Sequence, residues 1–311
     1  MTPERRLDVL VAGDLFLDLV MSGFTSWPGP GEESFAKEFH KEVGGGAAIT
    51  ACCLSKLGLR TLVLGAVGKS DGQWMVDELR LRGVDTSGIW VTGAEPTAFT
   101  VSVSSARDRA LFTYGGANRE LVGVLERLTA LAEETRVRHI HLAHAMNPPQ
   151  AAPLFQSIRD RGCSLSLDVG WHPEWFGDPQ AIAALSLVDI FFPNEREASA
   201  ITKETDPSRM LEAFQEMGLR QVALKLGAEG AALLWDGEIT FQKAGPVEPV
   251  DTTGAGDCFD AGFLYAWLRG MEQRQCLRAG TACGELSVRA LGGIAGVPSK
   301  EELDSILCTV K

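Results

Sequence analysis

The sequence predicts an α/β fold: a mostly parallel sheet flanked by helices on both faces, with a small second sheet forming a flap. Three observations point there. Short apolar runs alternate with stretches of helical spacing along nearly the whole chain. Two segments break that rhythm with alternating polar and apolar residues. No internal repeat, low-complexity tract or linker-like stretch divides the chain.

Taken in order, Leu7–Ala12, Thr61–Val67, His139–Ala143, Ser164–Val169, Asp189–Phe192 and Gln221–Leu226 are short apolar runs that suit buried strands. Between them, Ala47–Leu57, Asp71–Arg82, Gln150–Arg161, Ser208–Met217 and Phe259–Leu268 place apolar residues at helical spacing. Strand–helix alternation of this kind implies parallel strands joined by crossover helices. The exceptions, Leu17–Val43 and Ile89–Tyr114, are half-polar and carry turn residues such as Pro28, Gly29, Pro30 and Pro96. Their period-two alternation, as in Ala98–Ser104, suits strands with one face in water. We expect a single domain over 1–311, with lid segments at about 17–43 and 89–114 forming an antiparallel flap.

Bulk composition narrows the function. At 311 residues, with 45% apolar and 23% charged residues, the chain can bury a substantial core. A net charge of −12 without a compensating basic run argues against nucleic-acid partners. Seven scattered cysteines, several within apolar runs, read as reduced thiols, and with no apolar stretch of spanning length they point to a cytoplasmic protein. The amino-terminal Met-Thr-Pro-Glu-Arg-Arg runs into a strand and lacks the apolar core of a signal segment.

The most informative stretch is Asp251-Thr-Thr-Gly-Ala-Gly-Asp257, which opens directly onto an apolar helix. Glycines there let the backbone turn tightly and offer unpaired amides, and the helix dipole adds positive potential, so the turn suits a phosphoryl group. Asp257 would sit beside that anion, placed to accept a proton from an attacking hydroxyl. An aspartate that merely caps the helix gives the same pattern. A second cluster, Gly44-Gly45-Gly46, joins an extended segment to a helix start; it can admit a substrate close to the backbone or simply make a tight turn. Asp14 and Asp18 follow the first strand, where α/β proteins bind ligands, although solvated loop aspartates occur there too.

Together these features resemble the ribokinase-like (PfkB) family of sugar and nucleoside kinases, over nearly the whole chain. The carriers run in order from Gly13…Asp18 and Gly44-Gly45…Leu57-Gly58 through Gly65–Gly68, Asp71-Gly72 and Gly83–Thr86. Asn194-Glu-Arg-Glu197, Lys225–Gly230 and Asp251–Asp257 complete the series. The resemblance implies a ribokinase-like three-layer sandwich with a small β-sheet lid, acting as an ATP-dependent phosphotransferase on a hydroxyl of a small sugar or sugar acid. It makes Asp257 the base and the amides of Gly254, Ala255 and Gly256 the anion hole. Asp14, Asp18, Gly44, Gly45 and His144 fall on the sugar side, and Asn194, Lys225, Gly227, Gly230 and Thr281 around the nucleotide. Asn194 and Glu197 match an element that orders Mg²⁺ through water. Asp251 and the Thr253 carbonyl, with Ser287–Gly296, match a monovalent-cation site suited to K⁺. Exposed lid edges suit a homodimer. On this reading the helix terminus favours ionised Asp257, and a base of low pKa suffices because the hydroxyl proton departs late in such a transfer.

Departures cluster at the acceptor side. Ile49 stands where the glycine motif usually has Asn, His144 replaces a carboxylate, and Asp168-Val-Gly170 replaces an Asp-Pro-Asn pattern. Trp171 and Trp175 either wall the sugar or pack under a loop. His139, His141 and His144 do not make a metal site, since His144 leaves the strand face shared by the other two. Gly65–Ser70 imitates a phosphate loop, but Val63 occupies the first glycine's place. Ile49 likewise removes the third glycine of a dinucleotide fingerprint. A nucleoside kinase and a sensor that has lost transfer stay open as alternatives.

Overall fold

The computed structural model describes residues 7–24, 27–105 and 109–308, with backbone alone at 104, 105 and 109. The amino-terminal Met1–Arg6 lies outside the described residues, as do positions 25–26 and 106–108 of the expected lid.

Eight strands form the central sheet. From one edge they run Glu238–Gln242, Ala231–Trp235, Gln221–Lys225, Ile190–Phe191, Ser164–Asp168, His139–Ala143, Val9–Gly13 and Thr61–Leu64. The six from Gln221–Lys225 to Thr61–Leu64 are parallel. Their residues alternate between two cores. Val9, Val11 and Val63 pack under the helices Gly46–Lys56, Ala255–Leu268 and Gln273–Ser287. Leu10, Ala12 and Leu62 face the helices Leu128–Thr135, Pro148–Asp160 and Pro207–Glu216. Burial on both faces is why these strands read as unbroken apolar runs. The result is the expected three-layer sandwich.

The sheet departs from the expectation at one edge. Ala231–Trp235 and Glu238–Gln242 form an antiparallel hairpin that the apolar-run pattern does not predict. The signal was present: Asp236-Gly237 sits between two alternating segments, and both residues take positive φ, 49° and 93°, as a tight hairpin turn requires.

The lid is a four-stranded sheet in the order Glu38–Gly44, Phe16–Phe24, Phe99–Ser105, Arg109–Tyr114. It is mixed, not antiparallel, because Phe16–Phe24 runs parallel to Phe99–Ser105. Those two strands are joined by a long excursion through the main sheet, which permits a parallel pairing that a hairpin cannot make. The expected second lid segment is also trimmed: Trp90–Thr92 pairs with Ala66–Gly68 in a separate two-stranded sheet.

Candidate active site

The site gathers at the carboxyl edge of the parallel strands, where α/β sheets bind ligands. Asp14, His144, Asp168, Asn194 and Lys225 each sit at or just beyond the carboxyl end of a different parallel strand. Facing them is the amino end of the helix Ala255–Leu268. Its N-cap, Gly254, adopts a left-handed conformation (φ 72°) and offers no capping side chain. The Ala255 amide donates to the Thr252 carbonyl over a long 3.3 Å, whereas the Gly254 and Gly256 amides find no acceptor among the described residues. Open amides at a helix amino-terminus make an anion site.

Three clefts converge on this turn, and Thr252 lines all of them. The lid-side cleft, about 400 Å³, holds Asp18, Gly45, Thr100 and Asp257. The central cleft, about 420 Å³, holds Asp14, Asn194, Glu197, Lys225 and the opposite flank of Asp257. The third, about 290 Å³, lies beyond Gly256 and is apolar, with Val247, Pro249, Phe259 and Val288 around Gly227, Gly230 and Thr281. Asp257 therefore stands between the lid-side and central clefts, and Gly256 between the central and apolar ones.

The carboxylate of Asp257 is pushed up to about 7 by burial first and by the nearby Asp168 second, with Lys225 pulling the other way. This corrects the low value expected from the helix dipole: desolvation outweighs the dipole at this depth. Small residues around it are required. A Cβ on Gly46 would stand 3.0 Å from Asp257 Oδ1, and one on Gly44 would overlap the Asp18 carboxylate at 2.2 Å. Gly44 thus shapes the site from behind Asp18, while Gly45 lines the lid-side cleft itself. Ile49 fills the space beneath the turn, 2.9 Å from where a Gly254 Cβ would lie.

Lys225 is the centre of a buried charge cluster. Its Nζ lies 2.7 Å from Asp168 Oδ2 and 3.2 Å and 3.4 Å from the two Asp260 oxygens. Desolvation disfavours the charged lysine, but Asp168 and Asp260 more than compensate and raise its pKa. Burial raises the Asp168 carboxyl, and the Lys225 charge overrides it to bring the group to about 2. Asp168 therefore lines the central cleft beside Lys225, together with Asp14.

Asn194 and Glu197 form a capping box at the start of the helix Glu195–Thr202. The Asn194 amide N–H donates to Glu197 Oε2 (2.9 Å), Asn194 Nδ2 to Oε1 (2.6 Å), and the Glu197 N–H to Asn194 Oδ1 (2.9 Å). The pair caps the helix, and it also lines the central cleft. Asp251 ties down the loop before the anion turn. Its Oδ1 accepts from the Thr253 N–H (2.9 Å) and hydroxyl (2.7 Å), and its Oδ2 from the Gly292 N–H (3.1 Å).

Other expected contacts resolve differently. His144 Nδ1 lies 3.0 Å from Asp14 Oδ2, so it reaches the site through Asp14. His139 and His141 are buried; the Ser166 hydroxyl bridges the two rings, and Ser164 bonds the other nitrogen of His139. Trp175 is buried and donates to the Met146 carbonyl, and Trp171 stacks on Arg196. At the phosphate-loop mimic, Gly68 donates to Thr97 within the two-stranded sheet region. Sequence reasoning did not single out Thr252 or Asp260. Asp260 had a detectable signal: a carboxylate three residues after Asp257 on an otherwise apolar helix.

An open helix terminus with a carboxylate between a lidded cleft and a central one, and an apolar pocket beyond, suits a phosphotransferase with a hydroxyl acceptor. The family model described as pfkB family carbohydrate kinase matches residues 7–300, and the chain belongs to that family. It is 30% identical over 298 residues to a nucleoside kinase of Methanothermobacter thermautotrophicus, covering 95% of this chain and 94% of that one. The fold is similar to that of an Arabidopsis thaliana ribokinase complexed with ribose and ATP, with TM-score 0.82, 26% identity and coverage of 97% and 99%. It is also similar to a putative ribokinase II from E. coli in complex with ATP and Mg²⁺, with TM-score 0.81, 23% identity and coverage of 97% and 99%. Among the described residues no helix is long and apolar enough to cross a membrane.

Proposed function

We propose that the chain acts as one lidded kinase domain that transfers the γ-phosphoryl group of ATP to a hydroxyl of a small sugar or sugar acid. The observation that carries this is Asp257, standing between two clefts at the open helix terminus. In the reaction the acceptor oxygen bonds to the γ-phosphorus while the bond from that phosphorus to the β–γ bridging oxygen breaks. ADP leaves with the electron pair, and Asp257 takes the hydroxyl proton. The transition state is loose, so positioning and charge stabilisation matter more than base strength. Gly254 and Gly256 amides and Lys225 face the developing charge, and the apolar cleft by Thr281 suits the adenine. Lid closure would exclude water as a competing acceptor.

The central cleft offers the all-oxygen donors that Mg²⁺ prefers, from Asn194, Glu197 and Asp168. Among the described residues no three His, Cys, Asp or Glu side chains are grouped to hold a metal ion by themselves. The ion would be held there largely through water and the nucleotide's phosphates, and would neutralise phosphate charge. The Asp251–Gly292 tie suits a monovalent cation beside the turn. K⁺ is then expected to raise kcat several-fold over Li⁺, and equal rates across K⁺, Na⁺ and Li⁺ would remove that site.

A nucleoside acceptor is the second reading, favoured by the apolar wall that Phe16, Val20, Ile49 and Leu111 give the lid-side cleft. A coupled ADP-release screen over aldopentoses, ketohexoses, sugar acids and nucleosides separates the two. Absence of ADP release with every acceptor would defeat both and restore the sensor. The face of the lid away from the cleft is apolar at Leu19, Met21, Phe39, Val101 and Phe112, with Phe39 and Phe112 exposed. A second copy would cover it, and Phe112→Asp is expected to turn a dimer into a monomer in sedimentation. A monomeric parent protein would end that reading. Seven free thiols, five of them buried, are in keeping with a reducing cytoplasm.

A further inference from the structure

Asp260 is fully buried in the helix Ala255–Leu268, between Phe259 and Ala261, in a stretch that is otherwise apolar. Burial pushes the Asp260 carboxyl well above its ordinary value, so placing it here costs desolvation, while Asp168 by itself balances the Lys225 charge; fold stability is a weak reason for its presence. One carboxylate already pairs with the lysine: Asp168 holds Nζ at 2.7 Å. A single anchor leaves a long, flexible stem free to swing, whereas two anchors on different elements fix the direction of the ammonium. Asp168 lies at the end of a strand, and Asp260 one helical turn beyond Asp257 on the helix that makes the anion turn. Between them, Lys225 Nζ is pressed against that turn, 3.5 Å from where a Gly256 Cβ would be.

We infer that Asp260 is a positioning residue: it clamps the Lys225 ammonium beneath Gly256, where the charge stabilises the phosphoryl group in flight more than it stabilises bound ATP. The inference rests on the kinase reading of the site. Asp260 lines none of the three clefts and acts through Lys225. Its loss therefore weakens recognition of the transition state selectively, as expected for a charge aimed where new charge develops.

The test compares the full chain with its Asp260→Asn, Lys225→Met and double variants. The probes are a non-hydrolysable ATP analogue (AMPPNP) and ADP with aluminium fluoride, a planar mimic of the transferring group, each with Mg²⁺. Calorimetry and thermal melts are the readouts, so no acceptor needs to be known. Asp260→Asn is expected to bind the ATP analogue within about threefold of the parent and the planar mimic at least about tenfold more weakly. Its melting temperature should equal or exceed the parent's, and the double variant should match Lys225→Met alone. Equal affinity for the planar mimic would overturn the inference. So would parallel loss of both ligands with a lowered melting temperature, failure of the variant to fold, or independent, multiplying effects of the two substitutions. A parent protein that binds neither probe would instead bring down the kinase reading.

Discussion

Asp257→Asn is expected to lower kcat by about 10²–10⁴-fold while leaving affinity for the ATP analogue nearly unchanged. The asparagine keeps the shape and the helix start but cannot take the hydroxyl proton. The unsubstituted enzyme supplies a pH signature. Because burial and Asp168 raise the carboxyl to about 7, the deprotonated base is scarce in mildly acidic solution. kcat/KM should rise about tenfold per pH unit up to about pH 7 and then level off. A flat profile between pH 5.5 and 8.5, or full activity in the asparagine variant, would remove Asp257 from the mechanism.

The same shift bears on stability. A carboxyl whose folded pKa lies above its unfolded value contributes most below the ordinary carboxylate range, and that contribution is lost as pH rises through about 7. Asp257→Asn removes the burden. Since Asp257 is only part-buried between two open clefts, solvent screening trims the effect to about 2 kcal/mol. The variant should therefore melt higher than the parent at pH 8, with the gap closing towards pH 4. An inactive but more stable protein separates loss of chemistry from loss of fold.

Gly254→Ala is expected to be the second most damaging change, weakening nucleotide binding and kcat together by about 100-fold and lowering the melting temperature. Gly254 holds a left-handed conformation that costs other residues about 1–2 kcal/mol. Its Cβ would also come within 2.9 Å of the Gly293 backbone and of Ile49. Relief of that contact requires the anion turn to move, and the Gly254 and Gly256 amides would move with it. Steady-state kinetics and calorimetry with the ATP analogue check this outcome. Normal affinity in a folded variant would show that the cradle does not depend on this turn. Trimming Ile49 to Ala should relieve part of the damage, because one of the two contacts is made by its side chain.

Much of this architecture is legible in the residues themselves, and the reasons are local. Strands buried on both faces need unbroken apolar runs, so all six parallel strands can be located from sequence. Gly254, the left-handed N-cap of an apolar helix, marks a turn with open amides because few other residues adopt that conformation. What escapes depends on pairing. The antiparallel hairpin at Asp236-Gly237 is easily overlooked although its turn residues announce it. The parallel pairing of Phe16–Phe24 with Phe99–Ser105 cannot be read at all, since about 75 residues of other structure separate them.

Sequence alone marked the α/β class, the half-polar lid segments, the glycine turn ahead of an apolar helix and the carboxylate at its join, because each follows from backbone geometry or from residues adjacent in the chain. Only the tertiary structure could place Asp168 with Lys225 and bring in Asp260. That cluster joins a strand end, a second strand end and a helix, whose distances are set by packing across the sheet. The protonation of Asp257 was decided at the same level, since desolvation depends on every element that closes around a group and on none of its sequence neighbours in particular.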